Sequence, residues 1–264
     1  MRSVTMFSKW AILVTCLIIS ACDSFSVETV KKCTIKDEKC FIENVSKILK
    51  DISETGVEEI NVPALDPMHL KNISVPILGL LNLLLEEGQL KGVKDCEINK
   101  YQNDFEKGEA NLEITCDLVL TGKFKVSDPT PFLQNLLGSD PITIDGNVKI
   151  ILEKLRMNMQ FLYDLIKKDD GDIYFKCHKD DFNYKYDVGN AKLVVQKILL
   201  GGQDSSELVM NIFNQNGKLI VETFGTSIFD VGMPIFYDIL HRFIDSIPVK
   251  NYFSDDFTPY VKNV

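Results

Sequence analysis

The sequence Leu155-Arg156-Met157-Asn158-Met159-Gln160-Phe161-Leu162-Tyr163-Asp164-Leu165 decides the fold class of this chain. Apolar side chains occupy the odd positions and polar ones most of the even positions, so the pattern has a period of two over eleven residues. Side chains alternate between the two faces of a β-strand, whereas a helix would place these polar groups in its apolar face. Residues 142–165 are therefore predicted to form a long strand with one dry face.

Neighbouring segments share this period and predict an antiparallel sheet built from hairpins. Residues 112–120 alternate in the same way after a predicted turn at residues 104–108, and a turn at residues 168–172 leads into a return strand. Residues 182–188 also alternate, but the apolar phase changes after Gly189-Asn190. That change predicts a bulge that bends the sheet.

The start of the sheet is marked by the extended segment Val62-Pro63-Ala64-Leu65-Asp66-Pro67. Residues 68–75 follow it with a period of two and predict the first strand. The apolar run at residues 77–85 fits a strand or a helix by pattern alone.

Helical periodicity is found near both ends of the chain. Residues 40–56 predict an amphipathic helix, with Gly56 as its stop. After a predicted cap at residues 204–207 and a break at residues 214–217, a long helix is predicted over residues 218–246. Apolar residues cover well over half of its circumference, so it should be wrapped on several sides, and Gly225, Gly232 and Pro234 are expected to kink it. We expect an α+β fold in which a strongly curved antiparallel sheet wraps this helix.

The N-terminus predicts secretion. Residues 1–22 read as a signal peptide, with an apolar core at residues 10–19 that is too short to span a bilayer. Residues 19–22 also fit a bacterial lipobox with Cys22 lipidated. No later apolar run is long enough for stable membrane insertion, and a net charge of −9 disfavours nucleic acid. We expect residues 23–264 to form one extracellular, monomeric domain.

The spacing of the cysteines predicts disulfides, which form in an oxidising compartment. Cys33 and Cys40 close a short loop, which favours a disulfide because little chain search is needed. Cys96 and Cys116 flank the hairpin turn and form a second pair if the hairpin register places them directly opposite each other. Cys177 has no clear partner unless Cys22 survives cleavage.

Catalytic and metal-binding patterns are missing from the sequence. His69, His178 and His241 are far apart in sequence, and paired aspartates such as Asp169-Asp170 lack the spacing of a calcium loop. There is no Gly-x-Ser-x-Gly motif and no glycine-rich phosphate loop. We therefore predict that the protein is not an enzyme and needs no cofactor or metal.

Taken in order, several short motifs resemble the takeout and haemolymph juvenile-hormone-binding family of insects. The resemblance covers nearly the whole mature chain and implies the fold of the lipid-binding superfamily that includes bactericidal permeability-increasing protein, with an apolar tunnel between sheet and helix. In that family residues 77–85 are extended. The motifs are Cys33 with Cys40, Leu65-Asp66-Pro67, Gly92-Val93-Lys94-Asp95, Tyr186-Asp187-Val188-Gly189-Asn190-Ala191 and Ile247-Pro248-Val249-Lys250-Asn251-Tyr252-Phe253.

The resemblance implies a carrier of a small hydrophobic ligand, such as a juvenile-hormone-like terpenoid or a fatty acid, secreted into a haemolymph-like fluid. The alternative is a secreted signalling or behavioural factor that acts through a receptor protein and has a filled core. The tunnel is expected to be lined by apolar and aromatic residues, namely Leu112, Ile114, Leu118, Met157, Met159, Phe161, Tyr163, Tyr184, Tyr186, Phe224, Ile228, Phe236 and Leu240.

Two Asn-x-Ser triplets predict glycosylation. Asn72 follows the Asp66-Pro67 turn and is expected to be the better exposed, while Asn44 is expected on the polar side of its helix.

Overall fold

The computed structural model describes residues 30–138, 142–178 and 182–262. The predicted signal peptide, Cys16 and Cys22 lie outside the described residues. The α-helices of the described chain are α1 (Glu38–Thr55), α2 (Pro131–Leu137) and α3 (Ser206–Ser246). The strands are β1 (Met68–Ile77), β2 (Leu81–Lys91), β3 (Glu97–Asp104), β4 (Glu109–Ser127), β5 (Ile142–Lys167), β6 (Ile173–Cys177), β7 (Asn183–Asp187), β8 (Asn190–Leu200) and β9 (Gln203–Asp204). Short 3-10 turns are Glu58–Ile60, Val93–Asp95, Val249–Asn251 and Thr258–Tyr260.

These strands form one antiparallel sheet of nine strands around a central pair. Strands β4 and β5 pair along most of their length, as the long alternating pattern of β5 predicts. On its other edge β4 pairs with β2 and β3 at different positions along its length. On its other edge β5 pairs with β8, β7 and β6 in turn. The sheet therefore has two halves that share only the central pair. The α+β class, with a large antiparallel sheet and a long C-terminal helix, is confirmed.

The halves meet at an irregularity in both central strands. The register of β4 shifts between Cys116 and Leu118, and Lys154 in β5 has a φ of 53°. The Lys154 N–H donates to Asp117 Oδ1 at 2.7 Å, which fixes the two irregularities against each other. Gly189 lies at the same level, since its N–H donates to Glu153 O at 3.0 Å. The predicted bulge at Gly189 is thus a break between β7 and β8, opposite the distortion of β5.

Asp66 connects two of the short sequence motifs. Its buried carboxylate accepts the backbone N–H groups of Gly92 at 2.9 Å and Lys94 at 3.1 Å. Gly92 has a φ of 101°, and a Cβ there would lie 2.0 Å from Asp117 O. A side chain at Gly92 would therefore clash with β4, which explains the glycine at this turn.

The long helix agrees with the prediction at its break and differs from it at the expected kinks. The predicted break at residues 214–217 is confirmed as a kink at Asn216, whose φ and ψ are −126° and 21°, and α3 joins two helical stretches across it. Gly217, next to the kink, lets the helix rest on β8, where a Cβ would lie 1.9 Å from Ala191 O. The predicted kinks at Gly225, Gly232 and Pro234 are absent as dihedral breaks, since Asn216 is the one non-helical residue within α3.

The coverage of α3 changes along its length. Leu208 and Ile212, which precede the predicted helix of residues 218–246, are 58% and 52% exposed, and Leu219 at the start of that range is 61% exposed. Most of the buried residues of α3 lie in its later part, where it is covered on several sides. The early part of α3 packs on β8, where Asn214 Oδ1 accepts the Leu193 N–H at 2.7 Å. By length and composition alone, α3 could also cross a membrane, and no other helix of the described chain could. The core helix of a globular protein can have the same length and apolar composition, so these two properties alone do not place α3 in a membrane.

Both predicted disulfides are present. Cys33 is bonded to Cys40, and Cys96 is bonded to Cys116 across the β3–β4 hairpin with a Cα–Cα distance of 4.4 Å. The hairpin register pairs Glu97 with Thr115, which places the two cysteines of the second pair opposite each other. Cys177 is a free thiol. Two disulfides are typical of an extracellular protein.

Two buried clusters fill the space between sheet and helix. The smaller one lies in the half of the sheet formed by β2, β8 and the adjoining parts of β4 and β5, and its buried members are Leu85, Phe124, Val148, Leu193, Val195 and Ile198. The larger one lies in the other half, where α1, the C-terminal part of α3 and the chain after it also contribute. This larger cluster contains the candidate site.

Candidate ligand-binding cavity

The larger cluster encloses a cavity of about 170 Å³. Its wall is built by α1, the ends of β3 to β6, the last turns of α3 and the segment that follows α3. The lining residues are Phe41, Asn44, Val45, Ile48, Leu49, Ile52, Leu65, Tyr101, Asn103, Ala110, Leu112, Phe161, Tyr163, Phe175, Cys177, Phe236, Ile239, Leu240, His241, Phe243, Ile244, Tyr252 and Phe253. No Asp, Glu, Lys or Arg lines the cavity within the described part of the chain.

Helix α1 forms one wall of the cavity through its apolar face. Asp37 caps the helix by accepting the Cys40 N–H at 3.0 Å, and Gly56 ends it with its N–H on Ile52 O. The predicted helix over residues 40–56 is confirmed within two residues. Phe41 stacks on Tyr101 with ring centroids 3.8 Å apart, which joins the start of α1 to β3.

The C-terminal segment closes the cavity beside α1. Cys33 N–H donates to Tyr252 O at 2.9 Å, and Ser254 N–H donates to Cys33 O at the same distance. The Phe253 ring lies 5.6 Å from Phe41 between centroids. The Cys33–Cys40 disulfide therefore holds the start of α1 against the end of the chain.

Polar groups in the wall are mostly bonded to one another. Tyr163 donates its hydroxyl to Asn103 Oδ1, and Asn103 Nδ2 donates to the Tyr101 hydroxyl at 2.5 Å. Burial raises the pKa of both tyrosines, so their hydroxyls stay neutral. His241 is buried and packs on Tyr237, with ring centroids 4.2 Å apart.

Cys177 and Tyr252 complete the polar part of the wall. Burial, followed by the nearby Asp245 carboxylate, raises the pKa of the Cys177 thiol. Burial raises the pKa of Tyr252, whose hydroxyl has no hydrogen-bond partner among the described residues. The cavity is thus an apolar, uncharged space with a few neutral polar atoms, which suits a small hydrophobic molecule.

The structure brings part of the predicted lining together. The predicted residues that line the cavity are Leu112, Phe161, Tyr163, Phe236 and Leu240. Met157 and Met159 are buried in the core beside the cavity, with Ile114 and Leu118 packed against the same cluster. The methionine pair therefore contributes packing and no cavity wall.

The other predicted residues lie in β7, namely Tyr184 and Tyr186, and in the middle of α3, namely Phe224 and Ile228. The Tyr184 hydroxyl donates to Asp230, and the Tyr186 hydroxyl lies 3.1 Å from Thr226 Oγ1. Phe224 is half-buried and Ile228 is 41% exposed. Tyr184 and Tyr186 therefore join β7 to the helix, and none of these four residues lines the cavity.

Several cavity residues were missed by the sequence analysis. The apolar face of α1 had a usable signal, because its helical periodicity was already evident. Tyr252 and Phe253 belong to one of the resemblance motifs, so that motif also marked this wall. Asn103 and His241 had no local signal.

The sequons fall in different environments. Asn72 is exposed on β1 with a φ of 54°, and its glycosylation stays a prediction. The expectation that Asn44 lies on the polar side of its helix is wrong, because Asn44 is half-buried and lines the cavity. Its Nδ2 already donates to Lys31 O and to Cys33 Sγ.

Titratable clusters elsewhere are structural. Asp164 accepts from Lys262 Nζ at 2.7 Å and lies 2.8 Å from His178 Nε2, and these two partners lower its pKa. Among the described residues, no group of three or more His, Cys, Asp or Glu side chains could hold a metal ion.

Fold and cavity together define an α+β protein in which a curved antiparallel sheet and two helices enclose an apolar pocket. The chain belongs to the haemolymph juvenile hormone binding protein family, whose model matches residues 11–254. Its fold is similar to that of Takeout 1 from Epiphyas postvittana, with a TM-score of 0.73 and 22% sequence identity. That match covers 86% of this chain and all of the other.

A weaker similarity is to a lipopolysaccharide binding protein, with a TM-score of 0.33 and 12% identity over 82% of this chain and 41% of that one. A search of curated protein sequences found no match.

Proposed function

We propose that this protein is a secreted, non-enzymatic carrier that sequesters one small, uncharged, hydrophobic molecule in the cavity beside α1. The observation that carries this proposal is the uncharged apolar wall around about 170 Å³ of space. An apolar ligand would be driven into it by removal of surface from water, at about 25 cal/mol per Å².

The wall also favours one ligand class over another. An ionised carboxylate buried in the cavity would have no Lys or Arg partner in the wall, and burying an unpaired charge is costly. A neutral terpenoid-like molecule is therefore favoured over an ionised fatty acid. Membership of a family named for binding a hormone agrees with a carrier role.

The cavity favours this function over that of a signalling factor that acts through a receptor and has a filled core. Such a factor needs no internal space larger than a few waters occupy. The space observed here is larger and is lined mainly by side chains that do not bind water.

The test compares binding of a fluorescent apolar probe, N-phenyl-1-naphthylamine, to two matched variants of α1. Val45→Trp places a large side chain in the cavity, whereas Lys47→Trp adds the same side chain on the exposed face. We expect Val45→Trp to weaken binding by at least about tenfold and Lys47→Trp to leave it unchanged. Equal binding to both variants would place the ligand elsewhere.

Native mass spectrometry of protein purified from its source provides a second measurement. A bound molecule should add mass in gentle spectra that is lost under denaturing conditions. If the two spectra agree in every preparation and no apolar probe binds, the carrier function is excluded.

A further inference from the structure

One side chain in the cavity wall lacks the hydrogen bond that its burial requires. Tyr252 is 9% exposed, and its hydroxyl has no partner among the described residues. Buried polar groups in folded proteins are nearly always hydrogen-bonded, so an unpaired one at a cavity points to a missing partner. A ligand atom in the cavity would supply it.

Four other polar side chains of the wall have hydrogen-bond partners within the protein. Tyr163, Asn103 and Tyr101 bond to one another, and Asn44 donates to Cys33 Sγ and Lys31 O. Each of these side chains therefore keeps a protein partner when the cavity is empty.

Tyr252 is also held rigidly. Its carbonyl accepts the Cys33 N–H at 2.9 Å, and its own N–H donates to Val249 O at 3.0 Å. The neighbouring Phe253 forms a parallel bridge with Cys33, which the Cys33–Cys40 disulfide anchors to α1. A side chain carried on a backbone fixed in this way has less conformational freedom to lose when its hydroxyl binds a ligand atom.

Burial keeps the Tyr252 hydroxyl protonated by raising its pKa, so it is available as a donor. Its natural partner is a neutral oxygen acceptor, such as a carbonyl, ester or ether oxygen.

We propose that the Tyr252 hydroxyl donates a hydrogen bond to an oxygen of the bound ligand, and so selects oxygen-bearing molecules over hydrocarbons of the same size. This inference rests on the proposed carrier function. Tyr252 is then the residue that determines polar specificity in a pocket that otherwise selects only by size and hydrophobicity.

The experiment measures displacement of N-phenyl-1-naphthylamine by 2-undecanone and by undecane, a pair that differs by one carbonyl oxygen. Wild type should bind the ketone more tightly than the hydrocarbon. In Tyr252→Phe this preference should fall by about fivefold, the worth of one net hydrogen bond, with hydrocarbon affinity unchanged. Tyr184→Phe is the matched control, because its hydroxyl lies outside the cavity and bonds Asp230.

The melting temperature of unliganded Tyr252→Phe gives an independent readout. Removal of an unpaired buried hydroxyl should leave it equal to wild type or slightly higher. A clearly lower value would reveal a partner within the protein and overturn the inference.

An unchanged ketone preference in Tyr252→Phe, with normal hydrocarbon binding, would overturn the role of Tyr252 and leave the carrier function standing. Failure of wild type to bind the fluorescent probe and both competitors would overturn the carrier function itself.

Discussion

Cys177 lies half-buried in the cavity wall, where its N–H donates to Asp245 Oδ1 at 3.3 Å. Burial and this carboxylate both disfavour the thiolate, which is the reactive form of cysteine. The same environment keeps the Tyr101 and Tyr163 hydroxyls neutral. The cavity wall therefore suppresses ionisation of these three side chains. For Cys177 this suppression can be measured as a slower reaction of the thiol.

We predict that iodoacetamide alkylates Cys177 at pH 8 at least about tenfold more slowly in the folded protein than in the urea-unfolded chain, because the raised pKa lowers the thiolate fraction. Peptide mapping by mass spectrometry gives the rate at this residue. Addition of 2-undecanone should slow it further, since the thiol faces the cavity. Equal rates in folded and unfolded protein would mean that the thiol is exposed.

Close approach to the sheet governs the course of α3 at the scale of elements. Gly217 rests on β8, and at Gly225 a Cβ would lie 2.9 Å from the Tyr186 hydroxyl. Gly232, in the same helix, has no atom within 4 Å of such a Cβ. Glycines of one helix thus have different roles, which matched substitutions separate.

We predict that Gly217→Ala lowers the free energy of unfolding by about 2 kcal/mol, because the helix must move away from the Ala191 carbonyl. Gly232→Ala should raise it by up to about 1 kcal/mol through helix propensity. Urea unfolding followed by circular dichroism measures both changes. Similar effects of the two substitutions would show that α3 does not rest on β8 at Gly217.

The Cys33–Cys40 disulfide acts on a second element, the α1 wall. Its removal by Cys33→Ser with Cys40→Ser should lower the free energy of unfolding by about 2 to 3 kcal/mol through loop entropy in the unfolded chain. Circular dichroism should remain close to wild type. Ligand release should become faster, since the start of α1 and the C-terminal segment are no longer held together.

The matched control for that prediction is Cys96→Ser with Cys116→Ser. This disulfide lies in the β3–β4 hairpin, and neither cysteine lines the cavity. It should lower stability without changing the release rate of the fluorescent probe. Unchanged release in both double variants would show that the α1 end is not the route of exit, and would direct attention to residues 225–234 of α3.

The distribution of charge matters at the scale of the whole molecule. The chain carries a net charge of −9, yet the described cavity wall contains no charged side chain. A negative surface repels anions, and an uncharged wall offers them no partner. Both effects favour neutral ligands.

We predict that methyl decanoate binds at least about tenfold more tightly than decanoate at pH 7, because the ester is uncharged. Affinity for the acid should rise as the pH falls towards a carboxyl pKa of about 4.3, since only the protonated acid is neutral. Competition against the fluorescent probe between pH 7 and pH 5 measures this, with the ester as a control for effects on the protein. An acid affinity that is independent of pH would indicate a cationic partner for the carboxylate.

Much of the secondary structure followed from periodicity. The pattern of residues 155–165 predicted the central strand, and the face of residues 40–56 predicted α1, because both depend on neighbours within one or two turns of chain. The predicted break before Lys218 is the kink at Asn216, because residues 214–217 have weak helix propensity. The kinks predicted at Gly225, Gly232 and Pro234 are absent. Of the residues expected to line a tunnel, Leu112, Phe161, Tyr163, Phe236 and Leu240 lie in the wall of the candidate cavity.

By itself, the sequence determined the strands with their dry faces, the apolar helix and the short Cys33–Cys40 loop, since each is a property of consecutive residues. Only the tertiary structure decided where the apolar faces of strands and helices surround a cavity and where they pack against each other. Met159 and Tyr163 lie on one face of β5, yet Met159 is packed in the core and Tyr163 lines the cavity. Asn44 and Tyr252 meet the same space from opposite ends of the chain. A cavity depends on distances between such remote segments, which no local pattern encodes.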